Sequence, residues 1–218
     1  MFSHLHVPQR HIAPGSDRME IRCPQVSMQI AFYLDPAAEV FVRGLFQDQA
    51  FRLGDRYSQV DLRVAQVALL PLPDLGPGLV FLRPISPLVV ARKDVRGIDQ
   101  YLDPAHPDFG ELLLENLVAK YLAVCQETGQ PVDPQAQESP LHYALPPGQK
   151  PKARLITLKA DTAQATRVKG YVQFVFCLQA PPVLVALGLQ AGFGKLNAQG
   201  FGMVEVVEGK KLGDVLGE

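Results

Sequence analysis

The order of strand and helix signals restricts this chain more than any other feature in it. Leu79–Arg92, interrupted by Pro84 and Pro87, reads as a strand. Asp108–Glu127 follows, with Phe109, Leu113, Leu117, Tyr121 and Val124 at helical spacing. Asp108 and Glu111 read as its capping pair and Gly129 as its stop. After a Pro-, Gln- and Gly-rich loop (Gly129–Lys152), Ala153–Ala160 and Thr166–Gln179 read as two strands. Pro181 and Pro182 open a short apolar helix, Val183–Gln190, and Met203–Val207 is the last strand. A β-α-β-β-α-β order is that of the ferredoxin-like fold, an α+β class.

The N-terminal half repeats part of that order. Arg18–Cys23 and Val26–Leu34 read as strands around a turn at Pro24–Gln25. Pro36–Gln49 reads as a helix, capped by Asp35, with Val40, Phe41, Leu45 and Phe46 on one side. Ser58–Leu70 reads as a strand, and Pro71–Gly78 punctuates a boundary. The expectation is therefore two tandem ferredoxin-like (RNA-recognition-motif-like) domains, at residues 1–76 and 77–218. The first is read as β-β-α-β, lacking the opening strand and helix at its N-terminus. A sheet without those elements leaves an apolar face and an edge uncovered, so a homodimer through the N-terminal half is also expected.

Bulk chemistry narrows the function classes. The 218 residues carry a net charge of −1, so an anionic partner must be met by a local basic face. No apolar run approaches the ~18–20 residues of a membrane span, and the N-terminus lacks the apolar core of a signal peptide. The expected setting is the cytoplasm, with no membrane. The three cysteines, Cys23, Cys125 and Cys177, are far apart and form no C-x-x-C pair, which argues against a disulfide framework and a zinc site. No metal or cofactor is expected.

Near the C-terminus stands AGFGKLNAQGFGMVEV, with two Gly-Phe-Gly triplets at Gly192–Gly194 and Gly200–Gly202. A P-loop would need Ser or Thr after Lys195, where Leu196 stands, and a strand before the loop rather than a helix. The dinucleotide fingerprint fails because Asn197 occupies its third glycine position. Two uses remain open. The glycines could turn backbone N–H groups toward an anionic ligand, helped by Lys195 and Asn197, or they could rigidify the last crossover. Phe193 and Phe201 read as inward anchors. Between Gln149 and Lys169, the cations Lys150, Lys152, Arg154, Lys159, Arg167 and Lys169 meet a single acid, Asp161, a local charge of +5. With Tyr171 alternating beside Arg167 and Lys169, this reads as a cationic sheet face for phosphates and stacked bases.

The two triplets fit G-h-G-x-x-x-x-x-G-h-G, with h hydrophobic, at Gly192, Phe193, Gly194, Gly200, Phe201 and Gly202. In this the chain resembles the CRISPR-associated repeat-RNA-processing endoribonucleases, the Cas "six" family. Leu82–Arg92 is similar to the family's S-P-[IL] strand, Tyr101–Tyr121 to the helix after it, and FSHLHVPQR to its F-S-x-L segment. The resemblance implies tandem ferredoxin-like domains and metal-independent cleavage of CRISPR repeat RNA. In that reaction a 2′-hydroxyl attacks the adjacent phosphate, leaving a 2′,3′-cyclic phosphate and a 5′-hydroxyl. It needs a base, an acid and a cation for the phosphorane. The family's usual catalytic histidine precedes F-S-x-L, where this sequence begins, so the resemblance leaves the base unidentified. Of five histidines, His4 and His6 lie closest to that position and are the catalytic candidates. His11 reads as loop, His106 as a turn residue, and His142 sits in the loop leading to the basic strands.

The expected RNA-binding residues are Gly192, Gly194, Lys195, Asn197, Gly200 and Gly202, with Lys150, Lys152, Arg154, Arg167 and Lys169 as phosphate contacts. Two alternatives accompany this reading: an RNA-binding member without activity, and a structural subunit of a larger assembly.

Overall fold

A computed structural model describes residues 1–207 apart from 17, 34, 48, 56, 77 and 161. One compact unit comprises Leu5–Met28 and Phe32–Pro71; the other comprises Met1–His4, Gln29–Ala31 and the described residues from Leu72 on.

In the first of these, β1 (Arg10–His11) pairs antiparallel with β2 (Glu20–Ile21), and α1 spans Asp35–Gln47. The proposed Asp35 cap lies outside the described side chains. A hairpin follows, β3 (Ala50–Gly54) with β4 (Gln59–Arg63), closed by Asp55, whose carboxylate accepts from the backbone N–H of Tyr57 and Ser58 at 2.8 Å. Two sequence expectations need correction. The described residues of Val26–Leu34 form no strand; among them Ser27 and Ile30 form isolated bridges, each within its own unit, to His6 and Phe2. Ser58–Leu70 shortens to β4, and β3 comes from residues read as loop. The apolar side of α1 is largely open to solvent, with Val40 74% and Phe46 54% exposed.

The second unit is built on β5 (Leu79–Pro84), α2 (Pro107–Thr128), β8 (His142–Ala144), β11 (Phe176–Gln179), α4 (Pro182–Ala191) and β12 (Val204–Val206). Between these come the hairpin β6–β7 (Ala91–Lys93, Asp99–Tyr101), the short α3 (Pro134–Glu138) and the ribbon β9–β10 (Lys152–Leu158, Thr166–Val172). The sheet order is β12-β5-β11-β8, with every neighbouring pair antiparallel. Numbered within the sheet, that is 4-1-3-2, the ferredoxin-like arrangement. Its second strand is not the expected Ala153–Ala160 but β8, three residues inside the stretch read as loop.

The reason lies at Gln173, whose φ of +61° breaks the expected strand Thr166–Gln179 in two. Only β11 enters the sheet. β10 turns away to pair with β9, and it is tied to the segment before β6 by reciprocal 2.9 Å bonds between Leu88 and Tyr171. Gly170 permits that approach, since a Cβ there would lie 2.8 Å from the Pro87 side chain.

Helices α2 and α4 deliver the core. Phe109, Leu113 and Leu117 of α2, Leu184 and Leu187 of α4, and Leu82, Phe176 and Leu178 of the sheet are all at most 1% exposed. Truncating one such phenylalanine would cost about 3–5 kcal/mol. Helix α2 begins at Pro107, and its N-cap is His106, whose Nδ1 accepts from the Asp108 N–H at 3.2 Å. The expected Asp108–Glu111 box does not form. Asp108 instead sits in the first turn and pairs with Arg92 at 2.6 Å. Gly129, at φ +69°, ends the helix as expected.

Candidate nucleic-acid interface

The glycine loop follows α4 and packs inward. Phe193 is fully buried and Phe201 is 3% exposed, which makes both anchors. Asn197 sits at the centre: its Nδ2 donates to the carbonyls of Phe193 and Phe201, each at 3.0 Å. A Cβ on Gly192 would come within 2.4 Å of that amide, and one on Gly202 within 1.9 Å of Phe193 O. The outer glycines of the motif thus make room for Asn197 and for the opposite triplet. Gly194 closes on Val89 O and Gly200 on the Phe2 ring.

Sequence reasoning left the loop amides free to face an anion; the structure turns five of them inward. The N–H groups of Gly192, Phe193, Lys195, Gly200 and Gly202 donate to Gly188, Gly202, Val89, Asn197 and Pro87 carbonyls. These bonds describe a rigid crossover. Ala198 and Gln199 are the exposed residues of the loop, and its one cation, Lys195, is half-buried with its ammonium 3.4 Å from Asp99, which also pairs with Lys93 at 3.1 Å.

One residue of this network escaped the sequence reading. Lys120 of α2 donates to Gly192 O (2.7 Å), Gly194 O (2.7 Å) and Asn197 Oδ1 (2.6 Å). Burial lowers its pKa from 10.5 to about 8, so the ammonium persists at neutral pH. A signal was available: it is the sole cation among the 22 residues of α2.

The basic stretch does not form a single face. In β9–β10 the register sets Lys152 opposite Val172 and Arg154 opposite Gly170, while Leu155 opposes Lys169 and Thr157 opposes Arg167. Residues directly opposite share a face and neighbours along a strand alternate. Lys152 and Arg154 therefore lie on one side of the ribbon, Arg167 and Lys169 on the other. The expected exposed aromatic is also buried: Tyr171 is 3% exposed, with the Lys169 ammonium 5.3 Å from its ring centre. Lys150 precedes the ribbon and is exposed. Asp161 lies outside the described residues.

Arg154 acts electrostatically on a residue that the sequence separates from it by 150 positions. Its charge, after the larger effect of partial burial, pushes the pKa of His4 below the ordinary 6.5. His4 belongs to the same unit, in the short segment Met1–His4 that carries Phe2 onto Gly200 and bonds Ser3 N–H to Gln29 O at 2.8 Å. His6 falls in the other unit, where it exchanges backbone bonds with Ser27. His142 lies on β8, exposed, and lines a groove along α2. Among the described residues no group of three or more His, Cys, Asp or Glu is disposed to hold a metal ion, and no helix is long and apolar enough to cross a membrane.

A family model described as "CRISPR associated protein Cas6, C-terminal" matches residues 73–206. The chain belongs to the Cas6 family. Its fold is similar to that of a Cas6-related protein from Pyrococcus furiosus, with TM-score 0.77 and 21% identity over 96% of this chain and 78% of that one. A structure described as CRISPR associated protein Cas6 gives TM-score 0.70 and 25% identity over 95% and 77%. One described as an RAMP protein binding different RNA substrates gives 0.75 and 20% over 95% and 78%. Comparison with curated proteins found no match. The Cas6 match runs from before β5 to the end of β12, so it takes in the glycine loop, Lys120 and the ribbon; His4 lies ahead of it.

Proposed function

We propose that this Cas6 protein binds CRISPR repeat RNA and cleaves it without a metal. The 2′-hydroxyl attacks the adjacent phosphate, its proton passes to the base, and the 5′-oxygen leaves with a proton from an acid. The products are a 2′,3′-cyclic phosphate and a 5′-hydroxyl. His4 is the base and Arg154 the cation that stabilises the phosphorane. One observation carries this reading: the segment that lays Phe2 on Gly200 of the glycine loop also holds a half-buried histidine, His4, that feels the charge of Arg154. Its lowered pKa keeps the imidazole neutral near pH 7, the state that accepts a proton, and a positioned base contributes about 10²–10⁴ in rate.

Lys152 extends the phosphate path on the Arg154 side, Lys150 contributes from the residues before the ribbon and Lys195 from the loop, and Arg167 and Lys169 contact flanking RNA from the far side of the ribbon. RNA binding by one structural relative supports the substrate class. The wider reading keeps two ferredoxin-like domains, 1–76 and 77–218, a cytoplasmic setting, and a homodimer through the N-terminal half. The open apolar residues Val40 and Phe46 of α1 support association.

The test is a gel assay of labelled repeat RNA in excess EDTA, reading bound and cut fractions together. Cleavage that survives EDTA and stops with a 2′-deoxy nucleotide at the cut is expected. Binding without cleavage would leave an RNA-binding protein only, and neither would overturn the reading altogether.

A further inference from the structure

The glycine loop holds its shape through a small buried polar network. Three of the loop's acceptors, Gly192 O, Gly194 O and Asn197 Oδ1, converge on a single ammonium, and Asn197 passes the restraint on to Phe193 O and Phe201 O. Both triplets are thereby tied to one side chain of α2. Gly192 also ends α4, where the unpaired carbonyls of a helix terminus favour a cation. All three ammonium protons are used, so this lysine has no donor left for a ligand. The loop in turn carries Lys195 at its outer edge and supports Phe2, two residues from His4.

We infer that Lys120 is a positioning residue for RNA binding: its three hydrogen bonds fix the glycine loop in the form that presents Lys195 and seats the Met1–His4 segment. This rests on the reading that Lys195 meets RNA. A flexible loop would have to be ordered by the RNA at each binding event, and that ordering would be subtracted from affinity. The preformed network removes the cost.

The network also makes the restraint sensitive to pH. Above about pH 8 the amine keeps two protons for three acceptors, and one bond is lost. Among the described residues no carboxylate pairs with Lys120. The charged groups around the adjoining depression are Glu115 of α2, Arg92 and Lys93 of β6 and Lys195, with Asp99 of β7 held by Lys93 and Lys195. Helix α4 contributes no charged residue.

The experiment measures affinity for a labelled CRISPR-repeat RNA from pH 7 to pH 9.5 for the wild type, Lys120→Met and Lys195→Ala. At pH 7, Lys120→Met should bind about tenfold more weakly, the scale of one charge-assisted hydrogen bond. It should raise KM more than it lowers kcat. Wild-type affinity should fall above pH 8 toward that of Lys120→Met, whose own curve lacks that step. If Lys195→Ala weakens binding while Lys120→Met matches the wild type in affinity and pH profile, the positioning role is overturned and the RNA interface stands. If Lys195→Ala changes nothing, the interface reading falls and the inference with it. Should Lys120→Met fail to fold, the wild type alone decides by NMR. The amide signals of Phe193 and Lys195 should titrate with a midpoint near pH 8, and signals that stay still across that range would overturn the proposal.

Discussion

The glycine loop and the β9–β10 ribbon lie close in chain order yet use their residues in opposite ways. The loop carries the most recognisable motif of the sequence, and most of its polar groups bond to the protein itself. The ribbon carries no motif, and its cations Lys152, Arg154 and Arg167 stand exposed. A recurring pattern of glycines here reports tight packing around Asn197, whereas the groups available to a ligand lie on elements with little sequence signature. In this site, recognisability follows steric constraint more closely than it follows contact with substrate.

The sharpest way to break that contrast is to place one alanine in each region. Gly202→Ala places a Cβ 1.9 Å from Phe193 O at a φ of +72°, and it should destabilise the fold by about 3 kcal/mol or more. Lys152→Ala on the ribbon should stay within about 0.5 kcal/mol. Urea unfolding of the two variants compares them directly, and equal losses would erase the distinction.

A second comparison divides the ribbon itself. Arg154→Ala should lower the single-turnover cleavage rate at saturating RNA by about 10²-fold, as for a lost group that stabilises transition-state charge. Arg167→Ala, on the far face, should leave that rate alone, weaken binding and reduce the slope of log affinity against log salt by about one. Identical behaviour of both variants would mean that the two faces have no separate roles.

The smallest effect is in stability against pH. Folding lowers the pKa of His4 below 6.5, so the unfolded chain binds that proton more tightly. Stability present above pH 6.5 should fall as pH drops through the folded value, and His4→Ala should flatten the slope. Lys120 has the same sign in a different window. Its contribution should rise with pH between about 8 and 10.5, as the cost of a buried charge is relieved. Unfolding curves at pH 5, 7 and 9 would separate the two.

The parts of this molecule that were legible in sequence are those fixed by local rules. Helix α2 announced itself by the spacing of Phe109, Leu113, Leu117 and Tyr121 and by Gly129; α4 did so by its opening prolines. Strand β8 was hidden because three residues between prolines carry no periodicity, and its pairing is decided by β11. The break at Gln173 was hidden because a left-handed glutamine has no compositional mark. The register of β9 with β10 puts Arg167 and Lys169 on the far side of the ribbon from Arg154, and no count of charges along the chain registers it. Lys120 was visible as the lone cation of its helix, but its acceptors lie more than 70 residues away.

The proposed cleavage depends most on His4. Single-turnover cleavage of repeat RNA by His4→Ala in EDTA, at RNA concentrations that saturate both proteins, tests it directly. A rate lowered about 10²–10⁴-fold with affinity kept would agree with a general base at this position. A rate equal to the wild type would contradict it and remove His4 from the chemistry.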